Sequence, residues 1–137
     1  MDDLDEIYKI EKESFPDPYP KGLLKAFLFF PGAYLVALSE GLILGYAIGV
    51  VRYETVGHII SIAVSKEKRR SGVGRQLLAK SVERLRLKGV QSVRLEVRES
   101  NVEAIDLYKK AGFLAEDKIE GYYVDGESAL VMYLSVK

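Results

Sequence analysis

The stretch with the clearest capacity for chemistry runs from Ile59 to Leu78. An apolar run, Ile59 to Val64, suits a buried strand and is followed by a basic turn, Lys66-Glu67-Lys68-Arg69-Arg70. Ser71-Gly72-Val73-Gly74-Arg75 comes next, and from Val73 the apolar residues fall at 73, 77, 78, 82, 85 and 87, a helical face. Strand, glycine turn and helix together present an anion site. The first amides of a helix have no intrahelical partner, and the macrodipole is positive at that end. Gly72 and Gly74 let backbone approach a ligand without a Cβ in the way. Arg69, Arg70 and Arg75 add charge suited to a phosphate or pyrophosphate. The pattern is neither a Walker A loop, for there is no Gly-Lys-Ser/Thr, nor Gly-x-Gly-x-x-Gly, since position 77 is Leu. Taken alone, the same residues also make a solvated basic turn ahead of a surface helix.

The elements that must position this turn are legible from periodicity. Leu4, Ile7, Tyr8 and Ile10 with Phe15 predict a short amphipathic first helix. Pro16, Pro18 and Pro20 then forbid regular structure, and a second short helix is expected from Lys21 to Phe30, before Pro31-Gly32. Ala33 to Ser39 and Leu42 to Arg52 read as strands joined at Glu40-Gly41, and Glu54 to Val64 as a third. By alternation His58 shares a face with Ile60 and Ile62. The long helix is expected over Gly72 to Lys88, with Gly89 at its C-terminal end. In Ser92 to Arg98, Val93, Leu95 and Val97 alternate with Arg94, Glu96 and Arg98. Ser100-Asn101-Val102-Glu103 reads as a capping box opening a helix to about Lys110. Phe113 to Glu120 and Ala129 to Val136 predict a closing antiparallel pair.

Composition narrows the function classes. The 137 residues are expected to form one domain, 1–137, with nearly half of them apolar. Twenty basic residues balance twenty acidic ones, which gives no support to a nucleic-acid or membrane-surface role. There is no cysteine, which excludes disulfides and thiolate chemistry, and one histidine with no spacing that suggests a metal site. The acidic start lacks the features of a signal peptide, and no apolar run is long enough to span a bilayer, so a cytoplasmic location is expected.

With these elements in place, the chain resembles the GCN5-related N-acetyltransferases. Arg69-Arg70-Ser71-Gly72-Val73-Gly74 fits that superfamily's pyrophosphate motif, Gln/Arg-x-x-Gly-x-Gly/Ala. Leu95-Glu96-Val97-Arg98-Glu99-Ser100-Asn101, with Ala104-Ile105, Leu107-Tyr108 and Gly112-Phe113, is similar to its second conserved block. Gly57-His58-Ile59-Ile60-Ser61-Ile62-Ala63-Val64 and Gly121-Tyr122-Tyr123-Val124-Asp125-Gly126-Glu127 resemble the amino-terminal protein acetyltransferases, RimI-like enzymes and the catalytic subunit of NatA-type enzymes. The implied fold is α/β (α+β), a central mixed, mostly antiparallel sheet with helices on both faces. One departure is visible: family members usually begin with a strand before the first helix, and here the chain opens almost directly into that helix. Either the sequence starts late or the strand is absent. If it is absent, Ala33 to Ser39 would be a sheet edge open to pairing, which makes a homodimer possible.

The resemblance also implies roles. Arg70 to Arg75 would wrap the pyrophosphate of acetyl-CoA, the cosubstrate. Ile62, Ala63 and Val64 would offer main-chain bonds to its pantetheine arm, with the Val64 amide near the thioester oxygen, and Asn101 would lie against it. Glu96 is implied as base or water-mediated proton acceptor; read from the residues alone it pairs with Arg94 and Arg98 on a solvated face. Tyr108 would protonate the departing thiolate, a phenol of pKa about 10 facing a thiol of about 8.5; otherwise it is a core aromatic. His58 is a second base candidate and Glu54 a weaker third. Phe15, Tyr19, Tyr122 and Tyr123 lie on loops implied to flank the substrate's first residues, and Asp125 or Glu127 would attract its cationic terminus or serve the turn. The expected reaction is direct acetyl transfer to the α-amino group of a protein or peptide. The alternatives are a small-molecule amine, a lysine side chain, or a catalytically silent acyl-CoA-binding domain.

Overall fold

A computed structural model of the chain describes residues 2–27, 29, 32–39, 41–69 and 71–137, with the side chains of all but residues 2, 33–36, 38 and 39. Phe30, Pro31, Glu40 and Arg70, named above, lie outside them. The elements are α1 (Asp2–Ser14), α2 (Lys21–Phe27), β1 (Gly32–Ser39), β2 (Leu42–Arg52), β3 (Val56–Val64), a 3-10 turn (Lys66–Lys68), α3 (Val73–Leu87), β4 (Ser92–Arg98), α4 (Val102–Lys110), β5 (Leu114–Ile119) and β6 (Ala129–Ser135). The sheet runs β1-β2-β3-β4-β6-β5. Every neighbouring pair is antiparallel except β3 and β4, whose parallel relation requires a crossover, supplied by α3. Among the described residues no strand precedes α1, and β1 forms one end of the sheet.

The sheet carries a core on each face. Leu78 and Leu85 of α3 and Tyr108 of α4 pack with Ile59, Val93, Leu95, Val97 and Met132 on one side. Leu4, Ile7 and Ile10 of α1 and Leu24 of α2 pack with Tyr46, Ile48 and Ala63 on the other. Helix and sheet meet closely at Gly57, where a Cβ would stand 3.0 Å from Leu85 Cδ1. Leu87, expected on the buried face, is instead 71% exposed, and Ser81 is buried in that face. Two residues beyond Leu85 is about 200° around the helix, so Leu87 points away from the sheet.

Three local expectations are corrected. β3 begins at Val56 rather than Glu54, because Tyr53 and Glu54 turn the chain with left-handed φ of 54° and 66°. The cap of α4 is Asn101, whose side chain accepts from the Ala104 amide at 3.2 Å, while the Ser100 amide is drawn to Glu127 Oε2 at 2.8 Å. Asn caps as well as Ser does, so the offset of one residue costs the helix little. Strand alternation in β3 also breaks. Ser61 pairs with Ile48 and Ile59 with Gly49, leaving Ile60 as an extra residue. His58 and Ile60 therefore do not share a face with Ile62: Ile60 packs on the α1 side, Ile59 and Ile62 on the α3 side.

The feature that makes a site is the parting of β3 and β4. Their register holds for three pairs, Val56 with Ser92, Gly57 with Val93 and His58 with Arg94. Beyond His58 the two strands diverge, and the wedge between them opens into a cavity of about 350 Å³.

Candidate active site

One wall of the wedge is β3 from Ile59 to Ile62, and the other is β4 from Leu95 to Arg98. Asn101, Ala104 and Tyr108 of α4 close one side, and the α1–α2 loop with the β5–β6 loop forms the rim. Eight residues singled out from the sequence meet here: Phe15, Tyr19, Ile62, Glu96, Asn101, Tyr108, Tyr122 and Tyr123. His58 does not line the cavity, but its Nε2 lies 2.7 Å from Glu96 Oε1. Ala63 turns into the α1 core.

Glu96 is held from both sides. Arg94 Nε donates to its second oxygen at 2.6 Å, and Arg94 Nη1 also reaches the Tyr133 hydroxyl at 3.4 Å. Burial pushes the Glu96 carboxyl up, but the hydrogen bond and charge of His58, then those of Arg94, outweigh it and hold the group below the usual carboxylate range. An ionised Glu96 accepts, so the proton between it and His58 sits on Nε2. Arg98, which the sequence also offered as a Glu96 partner, turns elsewhere. Its guanidinium binds Asp17, Asp125 and Glu127.

Tyr108 is both core aromatic and cavity wall. Its ring sits 6.0 Å from Phe113, and burial pushes its hydroxyl up to about 12 rather than the expected value near 10. Around the rim, Tyr122 and Tyr123 meet edge to face at 5.0 Å, and Tyr19 meets Phe27 at 5.5 Å. Burial, then the charges of Tyr122, Glu11, Glu96 and Asp17, push the Tyr19 hydroxyl up to about 12. The cavity therefore presents neutral phenols and a surplus of carboxylate, an environment suited to an ammonium group.

Sequence reasoning missed Glu11. It is 2% exposed, and its Oε1 accepts from the Tyr46 hydroxyl and, at 2.7 Å, from Ser61 Oγ. Its Oε2 accepts from the Tyr19 amide at 2.9 Å, so it ties the α1–α2 loop to β2 and β3. The signal was present: Glu11 continues the Leu4, Ile7 stripe at a spacing of four, on the inward face of α1.

Beside the wedge, the glycine turn has the geometry of an anion site. Gly72 caps α3 at φ 88°, in the left-handed region, and no side chain caps the helix. Space at Gly74 is bounded by Val64 Cγ2 at 3.6 Å and Leu107 Cδ2 at 3.7 Å, so the helix start lies against β3 and α4. Arg69 braces this turn, with Nε on the Val64 carbonyl at 3.1 Å and Nη2 on Ser14 Oγ at 3.0 Å. Ser71 Oγ donates to the Lys68 carbonyl, while Arg75 is exposed. An uncapped, basic helix start adjoining a split sheet fits a cosubstrate with a pyrophosphate at one end and an amide-bearing arm at the other.

Residues 4–113 match the model of the acetyltransferase (GNAT) family. The chain belongs to that family. It is 34% identical over 145 residues to an N-alpha-acetyltransferase of Saccharolobus solfataricus, covering 96% of this chain and 87% of the relative. The structure of Ard1 from Thermoplasma volcanium superposes with a TM-score of 0.94 at 32% identity, over 99% of this chain and 93% of that one. The ribosomal-protein-S18-alanine N-acetyltransferase of Escherichia coli superposes with a TM-score of 0.87 at 31% identity, over 100% and 90%. As a GNAT acetyltransferase the chain transfers acetyl from acetyl-CoA to an amine. No helix of the described residues is long and apolar enough to cross a membrane, and among them no cluster of His, Asp and Glu is placed to hold a metal ion.

Proposed function

We propose that the chain acetylates the α-amino group at the amino terminus of a protein or peptide, in the cytoplasm, by direct attack of the amine on acetyl-CoA. The observation that carries this reading is the single wedge that holds Glu96 and Tyr108 together beneath a rim of aromatic loops. The relative named N-alpha-acetyltransferase and the S18-alanine enzyme support the choice of amine.

The bound thioester supplies the activated acetyl group. Backbone amides from Ser71 to Arg75 would hold its pyrophosphate, Ile62 to Val64 and Asn101 would align the arm, and the Val64 amide would polarise the carbonyl. Carboxylates draw the substrate's ammonium into the wedge, yet the same charges keep its proton on. A free α-amine has pKa of about 8, so only about a tenth is neutral at pH 7. Glu96, ionised and held by His58 and Arg94, orients the water that carries that proton off and accepts from the nitrogen as the new C–N bond makes it more acidic. The neutral Tyr108 hydroxyl donates to sulfur as charge develops there. With its pKa near 12, full transfer to a thiol of about 8.5 is more than a thousandfold uphill, so hydrogen bonding carries its role. Phe15, Tyr19, Tyr122 and Tyr123 grip the first residues of an extended chain, one loop stiffened by Pro16, Pro18 and Pro20.

The direct test is CoA release with acetyl-CoA and peptides beginning Ser, Ala, Thr or Met, beside N-terminally blocked peptides containing lysine. Turnover confined to free termini, rising with pH to a plateau above about 8, is the expected result. Turnover that survives blocking, or climbs on toward pH 10, moves the acceptor to lysine. Acetyl-CoA binding with no turnover on any amine makes the chain a silent acyl-CoA binder. Tyr108→Phe is expected to lower kcat by about 10- to 100-fold with little change in peptide KM. A kcat within twofold of wild type would remove Tyr108 from the mechanism.

A further inference from the structure

Arg98 ends β4 with its side chain 10% exposed; both its Nη groups are engaged away from Glu96, while its buried Nε has no hydrogen-bond partner. Nη2 donates to Asp17 Oδ1 at 2.8 Å, in the α1–α2 loop. Nη1 donates to Asp125 Oδ2 at 2.9 Å and to Glu127 Oε1 at 2.8 Å, both in the β5–β6 loop. The Tyr123 ring stacks 4.1 Å from the guanidinium carbon, and Glu127 is fixed again by the Ser100 amide. One cation thus gathers three carboxylates from two loops, Asp17 being 81 residues from Arg98 in sequence. These are the loops that form the rim of the wedge. Without the guanidinium, three like charges would face one another across the gap, and the loops would separate.

We propose that Arg98 is a positioning residue for the acceptor: it clasps the two rim loops into one preformed groove, and so acts on substrate binding rather than on acetyl-CoA binding or proton transfer. The proposal rests on the reading that the acceptor is a peptide terminus. A groove already assembled saves the peptide the cost of ordering two loops on arrival. Lysine keeps the charge but cannot fork to Asp17 and the β5–β6 carboxylates at once, nor stack flat on Tyr123.

The test compares Arg98→Lys and Asp125→Asn with wild type by steady-state kinetics, acetyl-CoA titration and amide hydrogen exchange without substrate. Arg98→Lys is expected to raise peptide KM by about tenfold while kcat changes less than about threefold and acetyl-CoA affinity less than about twofold. Exchange should quicken together at the Tyr19 amide and at the hydrogen-bonded Tyr123 and Gly126 amides. Asp125 is more than half exposed, so Asp125→Asn keeps the fold; it should raise KM by about two- to fivefold and speed exchange at Tyr19 as well as in its own loop. Exchange confined to residues 121–127 in Asp125→Asn, or an unchanged KM in Arg98→Lys, overturns the clasp; so does a loss falling equally on kcat and acetyl-CoA affinity. If wild type acetylates no peptide, the acceptor reading fails by itself, and the exchange measurements still decide whether the loops are coupled. If Arg98→Lys does not fold, Asp125→Asn decides alone.

Discussion

Glu96→Gln lowers kcat/KM on a free amino-terminal peptide by about 10²- to 10³-fold at pH 7, and the deficit narrows as pH passes about 8. The wild-type carboxylate stays ionised through the assay range, since His58 and Arg94 together outweigh its desolvation. Glutamine matches it in shape but offers one acceptor oxygen where two are in use, and it takes no proton. Once the amine arrives neutral, the acceptor of its proton matters less, which is why the two pH profiles should converge. A deficit that stays constant across pH would make Glu96 an electrostatic or positional group instead. No deficit at pH 7 would move the acceptor role to His58 or to water alone.

Glu11→Ala is the second large effect, and it falls on stability. The substitution strips the acceptor from the Tyr46 hydroxyl, the Ser61 hydroxyl and the Tyr19 amide, of which Tyr46 and Ser61 are buried. The Tyr46 and Ser61 hydroxyls, 3.0 Å apart, can still bond to each other, which leaves one hydroxyl proton and the Tyr19 amide orphaned at about 1–3 kcal/mol each, a total loss of about 3–5 kcal/mol. In a domain of this size that lowers Tm by about 10 °C or more. Glu11→Gln should cost about a third as much, because its carbonyl still serves the two hydroxyls while its amide faces the Tyr19 N–H. Thermal denaturation followed by circular dichroism measures both variants. A shift below about 2 °C for Glu11→Ala would mean that water replaces the carboxylate without loss.

The sequence disclosed most of the framework and the residues at its centre. Period and punctuation located α1, α3, β4 and α4 because each buries a regular stripe, and proline or glycine ends the segments between. The glycine turn was legible as a candidate anion site because its strand, glycines and helix follow one another directly in sequence. Glu96 and Tyr108 were legible through the resemblance, which ties Leu95-Glu96-Val97-Arg98 to Tyr108 at fixed spacing. Long-range effects were not. The extra residue at Ile60 moves Ile62 to the opposite face, and no local pattern marks it. Arg98 looked like a Glu96 neighbour because alternation sees one strand, whereas its partners come from two distant loops. The capping residue was missed by one position, the usual cost of reading helix ends from sequence, and Leu87 was assigned to the wrong face of the last turn of α3.

A six-stranded open sheet ordinarily has two edges; the parting of β3 and β4 gives this one four. The inner pair carries rows of amides and carbonyls with no neighbouring strand, the arrangement that elsewhere invites a foreign chain to add itself. Here the invitation is sheltered in a concave slot, out of reach of another sheet but open to a slender ligand with amides of its own. A molecule lying along that slot would rejoin the halves of the sheet, and the halves carry different helices on different faces. Ligand concentration should therefore act on the whole molecule's cohesion, and melting should become sharper as well as later when the slot is filled.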